Sequence, residues 1–150
     1  MKKLLAGIAA LLLLLSLSAW RTGRRPAEEL KKLGIAPSVG KMTLRIDSRT
    51  GFSQRGTLKS VIEVPKSLES RIKGDEQWKP FPMEWEIREL LDTELKELEK
   101  FFPETSRGYY RMIDQSSGKN GKSGQDAPLH LILAVYDMDR NTIYYGEVKQ

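Results

Sequence analysis

The sequence predicts an α+β domain in which one long amphipathic helix packs on a mostly antiparallel sheet of about five strands, preceded by an apolar helix at the amino terminus. Three observations lead there. Stretches of alternating apolar and polar residues recur on both sides of a central helical section. Within that section, Ile87, Leu90, Leu91, Leu95, Leu98, Phe101 and Phe102 fall on one helical stripe between Met83 and Phe102. At the start, Met1 to Trp20 (MKKLLAGIAALLLLLSLSAW) is apolar behind two lysines.

That first stretch has the order of an export signal: Lys2 and Lys3, an apolar run from Leu4 to Leu15, then Ser16, Leu17, Ser18 and Ala19. It has two fates. Small side chains permit cleavage near Ser18 or Ala19, giving a secreted protein. Uncleaved, Leu4 to Trp20 would reach about 25 Å as a helix, the short limit for a single-pass membrane anchor, with Trp20 at the interface. Arg21, Arg24 and Arg25 follow at once and favour retention, so the anchor is the preferred reading. Flanking charge counted literally would keep the carboxyl side in the cytoplasm. A short basic head before an apolar run is the usual export start, and it places the domain on the extracytoplasmic side.

The chain thus divides into 1–20, signal peptide or transmembrane anchor; 21–40, a basic linker with a short helix; and 41–150, a single α+β domain. There is no cysteine, which excludes a disulfide framework, a thiolate zinc site and a cysteine nucleophile. Residues 1–60 carry 12 Lys and Arg against 3 acids, a net of +9, whereas residues 61–150 are net −4. The basic part lies beside the apolar run, so Trp20, Arg21, Arg24, Arg25, Lys31 and Lys32 read as a membrane-surface group facing anionic lipid. Nucleic acid has the right charge but no interleaved aromatics or recognisable module to meet it, and is not the expected partner.

Pro26 suits a first helical position, Leu30 and Leu33 share a face, and Gly34 suits a left-handed helix end. Met42, Leu44 and Ile46 alternate as a half-buried strand, and Leu58, Ile62 and Val64 resume the alternation after the turn-forming Ser48–Gly56. This predicts a hairpin with a long basic tip, where Phe52 between Arg49 and Arg55 offers a candidate contact surface. Pro65 opens a short helix carrying Leu68 and Ile72 and closed by Gly74. The stiff segment Trp78-Lys79-Pro80-Phe81-Pro82 leads to the long helix, which Pro103 ends. Trp78, Phe81 and Trp85 either form a rigid platform for a peptide or sugar or pin a loop to the core, the second being the commoner role. Arg107–Ile113 reads as a strand, Gln115–Gln125 as a polar loop, Leu129–Asp137 as a central strand and Ile143–Val148 as the last strand.

The motifs that tempt a chemical reading are incomplete. Gly121-Lys122-Ser123 ends like a phosphate-binding loop, but Ser116 stands where its first glycine belongs and no helix follows. Asp137, Asp139 and Asn141 begin like a calcium loop, yet Thr142 and Val148 occupy the glycine and bidentate-acid positions. Neither suggests a metal or cofactor, and none is expected. His130, the lone histidine, lies in the most apolar strand and reads as a hydrogen-bonded structural residue. The acids of the central helix read as a solvated face. No catalytic residue is assigned.

Trp78-Lys79-Pro80, Gly108-Tyr109-Tyr110 and AVYDMDRNTIYYGE (Ala134 to Glu147) make residues 41–148 similar to short, uncharacterised proteins of Gram-positive bacteria that bear an amino-terminal signal or anchor. These motifs are structural, so the resemblance implies no activity and no site residue. The expectation is a membrane-attached extracytoplasmic domain with a non-catalytic binding or accessory role, its partners membrane lipid and a protein, peptide or cell-surface polymer. The alternatives are a small secreted hydrolase-type enzyme using His130 and a cytoplasmic-facing, membrane-tethered regulator.

Overall fold

Alternation in the sequence becomes a single sheet. A computed structural model describes residues 27–105, 107–116 and 128–150. Its elements are α1 (Ala27–Lys32), a 3-10 turn (Pro37–Val39), β1 (Lys41–Asp47), β2 (Gly56–Glu63), α2 (Leu68–Gly74), β3 (Lys79–Pro80), α3 (Trp85–Thr93), α4 (Lys96–Glu99), β4 (Gly108–Asp114), β5 (His130–Asp137) and β6 (Thr142–Lys149). The strands lie in the order β1-β2-β6-β5-β4-β3, every pair antiparallel. β5 and β6 are central and almost wholly buried, as suits the most apolar stretch of the domain.

Helices cover both faces of the sheet. Ile132, Ala134, Tyr136, Ile143 and Tyr145 point to one side, where Leu30 and Leu33 of the α1 segment and Leu68 and Ile72 of α2 complete the core. Leu131, Leu133, Val135 and Val148 point to the other, against Ile87, Leu91, Leu95 and Leu98 of the α3–α4 region. Each such aliphatic side chain contributes about 1.5–3 kcal/mol of burial, so these short helices are held by packing rather than by their own propensity.

The stretch 21–40, read as a basic linker, contributes α1 to this core, with Leu30, Leu33 and Ile35 buried. Its end is closed by a paired turn: Ile35 N–H donates to Leu30 O at 2.9 Å and Gly34 N–H to Lys31 O at 3.0 Å. Gly34 takes φ +68° there, which a side chain would disfavour.

Two features of the predicted fold are corrected. The long helix over 83–102 does not form. Helix α3 ends at Thr93, Leu95 takes a non-helical φ of −114° and ψ of 30°, and the four-residue α4 follows. Asp92 and Thr93 are weak helix formers. The Thr93 hydroxyl donates to Glu89 O at 2.8 Å, a local bond that bends helices. The N–H groups of Glu94 and Leu95 then share Leu90 O, at 2.9 and 3.0 Å, and the turn drops Leu95 into the core. The apolar stripe persists but the helix axis does not. The sheet, moreover, has six strands rather than five: Lys79 and Pro80 pair with Tyr110 and Tyr109 as β3. Proline lacks a donor and is tolerated because this strand is an edge.

Candidate functional site

The end of the sheet formed by the close of β1, the start of β2, the start of β5 and the close of β6 gathers a network of charged groups, two of them buried carboxylates. At its centre is Glu147, whose side chain is only 3% exposed. It alternates with Ile143 and Tyr145 along β6 and therefore points inward. Lys32, from the last turn of α1, donates to both of its carboxylate oxygens at 2.8 Å. The Tyr145 hydroxyl donates to Oε2 at 2.7 Å, and His130 Nε2 lies 2.8 Å from Oε1. The Arg49 guanidinium stands 3.8 Å away.

Burial alone would raise the Glu147 carboxyl. The hydrogen bonds from Lys32, His130 and Tyr145, together with the Lys32 charge, outweigh it and hold the group at about 2. Tyr145 is pushed well above the ordinary tyrosine range by burial first and the Glu147 charge second.

The network continues across the sheet. Arg49 turns in from the hairpin tip and grips Asp47 through two bonds of 2.8 Å. This hydrogen bonding brings Asp47 down to about 2 despite partial burial. Asp47 is also 3.2 Å from Arg45, whose Nε donates to buried Glu29 at 3.0 Å. Glu29 in turn accepts from the Ser60 hydroxyl at 3.2 Å. Charges of opposite sign thus alternate across this end of the sheet, and among the described residues no buried side-chain polar atom lacks a partner.

On the opposite face of the same end lies an open cleft of about 480 Å³, between the base of the β1–β2 hairpin, the α3–α4 turn and the close of β6. Thr50, Arg55, Thr57, Lys96, Glu97 and Lys149 are among its lining residues. The Thr57 hydroxyl donates to Glu97 and fixes one wall. Its hydroxyls and charges of both signs suit a polar ligand better than an apolar one.

The residues singled out from the sequence separate into groups. Trp20, Arg21, Arg24 and Arg25 lie outside the described residues, as do the apolar run before them and Gly121–Ser123. Lys31 is exposed, whereas Lys32 is engaged with Glu147. Arg49, Phe52 and Arg55 share the hairpin tip, but only Phe52 and Arg55 face solvent. Trp78, Phe81 and Trp85 do not form one platform. Trp78 is buried in the core beneath α1 and α2, and Phe81 packs edge-to-face on Tyr110 under α3, on the other side of the sheet. Trp85 is 67% exposed.

His130 is half-buried on Glu147, and the neighbouring Ser116 hydroxyl accepts from its backbone N–H at 2.9 Å. Asp137 accepts from the N–H groups of Asp139 and Arg140 and from the Arg140 guanidinium, which is a self-bonded turn. Among the described residues, no group of three or more His, Asp or Glu is placed to hold a metal ion, and no helix is long and apolar enough to cross a membrane.

Glu147 and Glu29 were not among the residues the sequence singled out. The available signal was phase: Glu147 falls on the inward register of a strand whose neighbours Ile143 and Tyr145 are core residues, and a carboxylate there requires partners. No protein-family model, curated protein or solved structure matches this chain.

Proposed function

We propose that this protein is a membrane-attached domain, held on the extracytoplasmic face, that binds a partner and does not catalyse a reaction. One observation carries the reading: a basic head and an apolar run are followed at once by an arginine cluster, which falls within the six residues, 21–26, that separate the run from α1. The domain is thereby tied close to whatever holds that run. Glu29 and Lys32 pin α1 onto the sheet, so the tether joins a fixed part of the domain.

Binding rather than catalysis is supported by how the charged groups are engaged. Glu147, the carboxylate facing His130, already accepts from Lys32 and Tyr145, and the Ser116 hydroxyl is occupied by a backbone amide. A hydrolase reading of His130 would need a nucleophile at the ring, and neither group supplies one. The cleft lined by Thr50, Arg55 and Lys149 offers a place for a polar partner such as a peptide or cell-surface polymer.

Fractionation of cells expressing the full-length chain, with the mature amino terminus sequenced, tests the attachment. The expected result is membrane-bound protein beginning at Met1 or Lys2 and cut by protease added to intact cells. Soluble, unprocessed protein would overturn the reading. A start at Ala19 or Trp20 in the medium would replace attachment with secretion, and protection from external protease would place the domain in the cytoplasm.

A further inference from the structure

The edge of the sheet where the chain enters carries a surface that the fold leaves bare. The first turn of α1 lies over β1 and β2, where Glu29 meets Arg45 at 3.0 Å and Ser60 at 3.2 Å. By its carboxyl end α1 has crossed to β4, where Arg111 donates to Leu33 O at 2.9 Å. The first described residue, Ala27, therefore stands on the β1 side of the sheet.

On the face of β1 turned away from α1, Leu44 is 44% and Ile46 50% exposed. The register sets them opposite half-buried Val61 and Lys59 on β2. Helices α3 and α4 cover the centre of this face but stop short of β1: their buried residues pack on β4, β5 and β6. At the tip of the same hairpin Phe52 is wholly exposed, with Arg55 exposed three residues on. Three large apolar side chains and two cations, Arg55 and Lys59, thus lie along one edge. Asp47, the acid of β1, faces the other side and is neutralised by Arg49; the acid on this face is Glu63, exposed at its far end opposite exposed Lys41.

We infer that this β1–β2 edge is a second membrane contact, seating on an anionic bilayer surface, with Phe52, Leu44 and Ile46 entering the headgroup layer and Arg55 and Lys59 facing lipid phosphates. The inference rests on the attached reading above. Tether length supports the occupant: six extended residues reach at most about 20 Å, so an anchor ending at Trp20 holds the β1 edge within that distance of the interface. An apolar rim bearing cations is the chemistry that binds the boundary of an anionic leaflet. An edge strand with bare apolar side chains beside a tether is otherwise a liability for pairing with other chains.

The absence of cysteine makes the test direct. Ile46→Cys, Phe52→Cys and, at the far edge, Trp85→Cys are each introduced into the full chain, labelled with a polarity-sensitive fluorophore and reconstituted into vesicles of phosphatidylcholine and phosphatidylglycerol. The expected result is flotation of all three, with emission at 46 and 52 shifted to shorter wavelength and quenched about twofold by lipid-borne nitroxide at headgroup depth. The label at 85 stays unquenched. Quenching weakens in 1 M salt, where charges are screened within about 3 Å. Flotation with no quenching at 46 and 52 overturns the docking surface and leaves the anchor standing. Failure to float overturns the anchor and the docking together. Thiol crosslinking between copies of the Ile46→Cys variant, without lipid quenching, assigns the edge to self-pairing and likewise overturns the inference.

Discussion

Replacing Glu147 by glutamine tests whether the charged network is a stabilising part of the fold. The substitution keeps the shape and an acceptor for the Tyr145 hydroxyl but removes the charge that Lys32, with two bonds of 2.8 Å, and Arg49, at 3.8 Å, face. The carboxyl is held at about 2 against an ordinary 4.5. A group whose folded value is depressed stabilises the fold fully above its unfolded value and loses that contribution as pH falls through the folded one. At neutral pH the contribution is on the order of 3 kcal/mol, since each tenfold change in proton affinity is worth about 1.4 kcal/mol. That is a large share of the 5–15 kcal/mol or so that holds a typical domain. With a urea slope of about 1.5 kcal/mol per M, the E147Q midpoint at pH 7 should fall by roughly 2 M.

The assay is urea unfolding followed by tryptophan fluorescence at several pH values. The difference between the two proteins should shrink as pH falls from about 4.5 towards 2, because the native carboxyl then protonates too. Taking the difference cancels the acid sensitivity of Asp47, which both proteins share. A midpoint at pH 7 within about 0.3 M of the parent's, or a difference that does not change with pH, would refute the argument. Adding Lys32→Met to E147Q should recover part of the loss, because a partly buried charge left unpaired costs more than an absent pair.

Other outcomes follow from packing. A Cβ at Gly146 would stand 2.8 Å from Leu98 Cδ1 and 3.0 Å from Phe102 Cζ, so Gly146→Val should lose about 1–3 kcal/mol in chemical denaturation; Leu98→Ala in the same chain should cost less than the sum of the two single losses. Trp78→Ala, which empties a core site 4% exposed, should destabilise by about 3–5 kcal/mol, while Trp85→Ala should change stability by less than about 0.5 kcal/mol. Equal effects of the two substitutions would contradict the burial of Trp78 and the exposure of Trp85.

What was legible in the sequence depended on the kind of regularity involved. Period-two alternation located the stretches that became β1 and β2, and the continuous apolar run located β5, because side-chain phase in a strand is set locally. The helical stripe named the residues that became buried, Ile87, Leu91, Leu95 and Leu98, but spacing reports which side chains face inward, not whether the backbone between them is continuous. Thr93 decided that by bonding its own preceding turn. Lys79-Pro80 had no alternation to show, so β3 became visible only when Tyr109 and Tyr110 provided an edge to join.

The charged network was less legible still, since Lys32 and Glu147 are 115 residues apart. This changes the meaning of the charge asymmetry. Read as blocks, the basic first 60 residues lie beside a membrane and the remainder is acidic. In the folded chain Lys32 and Arg49, from the basic block, close on Glu147 from the acidic one. Part of the asymmetry is therefore the means by which α1 and the hairpin tip are fastened to β6. The cations left to meet a lipid surface are fewer than the +9 suggests. In the described part of that block they include Lys31, Lys41 and Arg55, exposed, and half-buried Lys59. A membrane contact built from so few charges needs the apolar side chains of Leu44, Ile46 and Phe52 beside them.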